Sequence, residues 1–110
     1  MKIVNRKDFL GMPDGTLYSL YEPCVVNELR IKDESSEADF CYNQIIGEFD
    51  YNDGYEHVDI LLDMKNNGTE IPLYLDAIYR DGSYKYDQLF LVYDNNDIQL
   101  LIDRLKTCLK

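Results

Sequence analysis

Turn signals cut this chain into short pieces, and that punctuation constrains the fold more than any other feature. Pro13-Asp14-Gly15, Asn66-Asn67-Gly68 and Asp81-Gly82 each carry residues that favour tight turns or left-handed backbone. Between them lie apolar runs of five to ten residues, too short for a membrane span of about 18. The runs at 16–22, 25–31, 40–46, 71–79 and 87–93 read as strands. They are rich in Tyr, Leu, Ile and Val, and 71–79 alternates Ile71, Leu73, Leu75, Ala77 and Tyr79 on one face. The run 89–93, apolar throughout, reads as a strand buried on both faces.

Three segments read as helices. Asn5 is a plausible cap for a short helix over 6–11 that buries Phe9 and Leu10. Over 57–65, Val58, Leu61 and Leu62 form a helical stripe, with Asp59 and Asp63 opposite and Asn66-Asn67-Gly68 as the stop. Over 96–109, Ile98, Leu101, Ile102, Leu105 and Leu109 form a stripe, with Asn95 or Asn96 as the cap. Residues 32–39 read as an acidic loop, 48–56 as an acidic turn region with a bend at Gly47, and 80–86 as a hairpin connection.

The expected architecture is one acidic α+β domain over residues 1–110. About five mostly antiparallel strands form a sheet or small open barrel, with the two main helices packed on it. The expected core is Leu61, Leu62, Leu73, Leu75, Leu89, Leu91, Leu101, Ile102 and Leu105.

Charge narrows the function. Lys plus Arg is 11 and Asp plus Glu is 21, a net charge of -10 over 110 residues. Such a field repels nucleic acid and anionic membranes and attracts basic surfaces. Cationic residues are dispersed, which disfavours direct nucleic-acid binding. The three cysteines, Cys24, Cys41 and Cys108, make neither a metal motif nor an even disulfide set. With no signal-peptide pattern, they point to the cytoplasm.

Catalytic signals are absent. His57 is the single imidazole, no spacing links it to a cysteine, and there is no glycine-rich phosphate cradle. Asp50, Asn52, Asp53, Glu56 and Asp59 surround Gly54 with oxygen ligands but lack the calcium-loop pattern, so they read as a solvated acidic loop. No cofactor and no metal are expected, and the chain reads as a binding protein rather than an enzyme.

The acids fall in blocks at 33–39, 48–59 and 94–103. Acids spaced like phosphates can occupy a groove built for DNA. The middle block also carries aromatic rings, so Asp50, Tyr51, Asp53, Tyr55, Glu56 and Asp59 form the candidate partner-binding surface. The expected partner is a protein with a basic surface. Two other readings stand beside it: a pocket, in a monomer or an oligomer, that sequesters a small nucleotide through one or two Arg and an aromatic face, and a structural or assembly accessory.

Two stretches carry a resemblance. Residues 9–18 with Tyr21-Glu22-Pro23-Cys24 resemble the opening of a group of small phage and prophage accessory proteins. Arg80-Asp81-Gly82 with Asp87-Gln88-Leu89-Phe90-Leu91-Val92-Tyr93 resembles their C-terminal half. The resemblance implies a phage-encoded accessory protein acting inside a bacterium; with the acidic Tyr-bearing surface, the expected role is inhibition of a host defence or nucleic-acid-binding protein. The group has no established activity, so no functional residue carries over.

Overall fold

The computed structural model describes residues 1–46, 49–82 and 85–110. Its elements are β1 (Lys2–Val4), α1 (Arg6–Leu10), β2 (Leu17–Glu22), β3 (Val25–Val26), β4 (Arg30–Ser35), β5 (Phe40–Gln44), α2 (Gly54–Asn67), β6 (Tyr79–Asp81), β7 (Leu89–Val92) and α3 (Asn95–Lys106). The class is α+β, as the turn pattern implies. The strands form one open antiparallel sheet, not a barrel, in the order β1-β7-β2-β4-β5-β6, with β3 paired to β2 off this path.

The first strand of the chain and the last meet at one end of the sheet, Lys2 opposite Val92. On its other side β7 pairs with β2, Tyr18 opposite Val92 and Leu20 opposite Phe90. The expected strand over 25–31 is broken. Tyr21 pairs with Val26 and Tyr18 with Arg30, so three steps on β2 face four on the other strand. The extra residue makes a bulge. The side chain of Asn27 fills the interrupted ladder by donating from Nδ2 to the Leu20 carbonyl at 2.7 Å. The β2–β3 turn holds Cys24 at φ 63, the one non-glycine residue with positive φ among those described. Pro23 before it fits the first corner of a type II turn.

The core is a knot of rings on one face of the sheet. Phe9 of α1 stacks on Phe90 at 4.0 Å between centroids and meets Tyr18 at 4.7 Å and Phe40 at 5.0 Å. Val92 completes the cluster, with Leu10, Met12 and Leu20 packed around it. The Asn5 side chain caps α1 by accepting from the Asp8 amide, which fixes the turn that delivers Phe9.

This core differs from the expected one. None of the nine Leu and Ile residues expected there is fully buried: Leu91 and Leu101 are half-buried, and the others are exposed. The helices explain much of this. Neither α2 nor α3 contributes a buried residue, so the two main helices are not packed on the sheet as expected. The radius of gyration, 16.4 Å, exceeds the roughly 13 Å of a compact chain of this length.

Several elements also shift. Residues 71–78 form no strand; only Tyr79–Asp81 joins the sheet, opposite Phe40 to Tyr42 of β5. β6 pairs with β5 and not with β7, so the segment between them is no hairpin connection. Ser83 and Tyr84 of that segment, and Gly47 and Glu48 of the expected bend and acidic turn, lie outside the described residues. β7 is buried on one face, through Phe90 and Val92, while Leu89 is exposed. α3 is capped by Asp94, one residue before the expected Asn, in a reciprocal pairing with Asp97.

The expected acidic loop at 32–39 is half strand. β4 runs to Ser35, and Lys32 is buried with 1% of its surface exposed. Its Nζ donates to the Met12 carbonyl at 2.9 Å and lies 3.8 Å from the Asp14 carboxylate. One lysine thus ties the turn after α1 to the middle of the sheet.

Candidate functional site: the acidic end of helix α2

The three acidic blocks have different duties. In the first, Asp39 accepts from Ser36 Oγ at 2.5 Å and from Arg80 Nε at 2.6 Å. The Ser36 hydroxyl first, and then the Arg80 guanidinium, hold its carboxyl below the usual carboxylate range. In the last, Asp94 and Asp97 cap α3, and Asp97 lies 2.7 Å from the N-terminal ammonium. Much of the charge in these blocks is spent on holding elements in place.

The middle block is split between architecture and display. Asp53 is the N-cap of α2, accepting from the Glu56 amide at 2.9 Å. Glu56 Oε2 accepts from the Asn52 backbone amide at 3.1 Å and from its side chain at 2.8 Å. Tyr51 packs its ring 4.5 Å from His57, and Phe49 stacks on the same imidazole at 5.2 Å. This ring cluster seats the start of the helix. Asp53, Glu56 and Tyr51 are therefore positioning residues for α2. Asp50, Tyr55 and Asp59 stand exposed, and Tyr55 has 87% of its surface open.

The structure adds residues the sequence reading had placed elsewhere. Val58, Leu61 and Leu62 form the expected helical stripe, but all three, the expected core residues Leu61 and Leu62 included, are exposed on α2. At 100° per residue they lie beside Tyr55, while Glu56, Asp59 and Asp63 form the adjoining row. Asp63 stays ionised because the Asn67 amide, and then Thr69, hold its carboxyl below the usual range. The helix end is fixed by Gly68 at φ 69, whose amide donates to the Met64 carbonyl. The result is a 14-residue helix with capped ends, an apolar face and an acidic border.

The arginine sites that a nucleotide pocket would use are differently arranged. Arg30 donates to Glu28 Oε1 at 3.0 Å and stands 4.3 Å over the Tyr42 ring, at the wall of a cavity of about 270 Å³. Arg6 is buried, donates to the Ala38 carbonyl at 2.6 Å, and borders a cleft of about 470 Å³ that also holds Glu37. Each guanidinium is already partnered, and each cavity carries a carboxylate that opposes a phosphate. Tyr18 Oη is buried with no hydrogen-bond partner among the described residues, and burial pushes its hydroxyl well above its ordinary value. It serves as a neutral ring of the core.

Among the described residues, no group of three or more His, Cys, Asp or Glu side chains converges to hold a metal ion. Among them, too, no helix is long and apolar enough to cross a membrane. Comparison of the chain with protein-family models, with curated proteins and with solved structures finds no match in any of the three.

Proposed function

We propose that this chain is a non-enzymatic binding protein that docks α2 onto a basic protein surface, and that it acts as a phage-derived inhibitor of a host defence or nucleic-acid-binding protein. One observation carries the reading: α2 is capped at both ends and contributes no fully buried residue to its own fold, yet it exposes Tyr55, Val58, Leu61 and Leu62 beside Asp59 and Asp63. An exposed helix of that pattern suits a groove with an apolar floor and a basic rim. The net charge of -10 steers encounter with such a partner, and the apolar row holds the complex once formed. The origin in a phage rests on the resemblance of residues 9–24 and 80–93, and the cytoplasm of a bacterial host follows from that origin. Sequestration of a nucleotide is the weaker reading, because Arg6 and Arg30 are both engaged within the fold.

The test uses a partner captured from a bacterial lysate, followed by binding kinetics at two salt concentrations. The variant Asp50→Asn/Asp59→Asn leaves the Asp53 cap untouched. It is expected to slow association roughly tenfold at low salt, with the wild-type rate falling as salt rises. Tyr55→Ala/Leu62→Ala is expected to speed dissociation instead. An on-rate that is the same in the charge variant and flat with salt overturns the acidic-surface reading.

A further inference from the structure

The cleft beside α1 holds a buried charge that the fold leaves uncompensated. Arg6 is 6% exposed, and burial of a guanidinium is costly unless an opposite charge balances it. Among the described residues Arg6 has no ion pair. Its Nη2 donates to the Ala38 carbonyl at 2.6 Å, and its guanidinium carbon stands 5.8 Å from the centre of the Phe40 ring. Both of these groups are neutral. A guanidinium carries five N–H donors in a planar fork, and among the described residues Arg6 uses its side chain for that single hydrogen bond.

Arg6 lines the cleft of about 470 Å³ between α1 and the β4–β5 turn. Lys7 lines the same cleft. It is exposed, and its side chain makes no hydrogen bond or ion pair among the described residues. Glu37, on the turn, is the one acid among the lining residues. Two cations against one acid leave the cleft positive by one charge, in a chain whose net charge is -10. The neighbouring acid Asp39 is taken up by Ser36 and Arg80, and Arg6 is the least of the influences that hold its carboxyl below the usual range. Leu10 supplies an apolar side, and Tyr86, 77% exposed, an open ring.

We propose that this cleft binds an aromatic carboxylate. A carboxylate matches the guanidinium fork with two parallel N–H···O bonds, and its single negative charge balances the single positive charge of the cleft. A phosphate dianion overshoots that balance and is repelled by Glu37. The body of the ligand lies against Leu10 and the Tyr86 ring, where an aromatic group gains an offset or edge contact. The volume lies in the range of small-molecule sites. A free acid and the last residue of a peptide both offer this chemistry. The site stands independently of the α2 reading, since it contains no residue of α2.

Calorimetric titration and amide chemical shifts at low salt test it, with 3-phenylpropionate, its methyl ester, phenyl phosphate and the peptide acetyl-Gly-Phe as probes. 3-Phenylpropionate is expected to bind with a dissociation constant of roughly 0.1–1 mM, as suits a ligand of its size, and to move the amides of Gly11 and Ala38. The uncharged methyl ester is expected to bind at least about tenfold more weakly, and phenyl phosphate more weakly than the acid. Tighter binding of acetyl-Gly-Phe than of 3-phenylpropionate assigns the carboxylate to a chain end, and the reverse order assigns it to a free acid. Arg6→Gln is expected to weaken binding by about tenfold or more. Two exposed positions decide the matter even if that buried change perturbs folding. Lys7→Gln is expected to weaken binding roughly two- to threefold and Glu37→Gln to strengthen it by a similar factor, with the circular dichroism spectrum unchanged. Absence of binding by either acid at about 10 mM overturns the proposal, as does binding that neither Lys7→Gln nor Glu37→Gln alters, or a methyl ester that binds as tightly as the acid.

Discussion

Helix α1 has five residues and helix α2 has 14, yet the short one holds the fold and the long one does not. Phe9 of α1 touches three other rings of the core, and no surface of it is exposed. On α2, Val58, Leu61 and Leu62 are each about half exposed. Length and hydrophobic periodicity therefore did not decide membership of the core. What decided it was delivery: the Asn5 cap and the Gly11 end confine α1 to a single turn that drops one ring onto the sheet. α2 leaves its apolar row outside, where the energy of burying it is still available to a partner.

The largest test of this contrast removes the ring. Phe9→Ala is expected to cost about 3–5 kcal/mol in urea unfolding, because three ring contacts are lost and a cavity opens. Next comes the lysine that ties the turn after α1 to the sheet. Lys32→Ala is expected to cost about 2–3 kcal/mol, since the Met12 carbonyl and Ser35 Oγ lose their buried donor. On the other side of the comparison, Leu62→Ser is expected to change stability by less than about 0.5 kcal/mol, as for an exposed site. A cost above about 2 kcal/mol there would place α2 in the core and remove the basis for its docking role.

The smallest effect is electrostatic. The folded chain holds the Asp39 carboxyl below its ordinary value, so its contribution to stability is present at neutral pH. That contribution is lost as pH falls through the depressed value. Asp39→Asn is therefore expected to melt slightly below the wild type at pH 7, with the gap closing in acid. A gap that widens toward low pH would show that Asp39 does not hold its charge against Ser36 and Arg80.

Much of the fold was legible because local chemistry determined it. Asn5, Gly68 and the Pro13-Asp14-Gly15 turn act within four residues of themselves, and each is found where the sequence places it. The β2 and β5 runs are likewise in place. Long-range choices were not legible. Residues 71–78 alternate well but pair with no strand, and nothing local reveals that. Leu61 and Leu62 have the periodicity of core residues, and a docking face has the same periodicity. Of the candidate surface, the grouping of Asp50, Tyr55 and Asp59 was visible as a charge block beside aromatic rings. The separate duty of Asp53 and Glu56 was partly visible too, since an acid before a helix with Glu three residues later is a capping pattern. The burial of Lys32 had a weaker signal: a cation standing alone in front of an acidic run.

The pairing of Lys2 with Val92, and the stacking of Phe9 on Phe90, have a consequence for how the chain is made. β7, late in the chain, thus joins both the first strand and the ring core. No fragment that stops before β7 contains all four rings, so the cluster is expected to close only once β7 is available. Contacts separated by some 80 to 90 residues raise the contact order, which slows folding. Without β7, Phe9, Tyr18 and Phe40 lack the fourth ring of the cluster, and addition of that one strand completes the core.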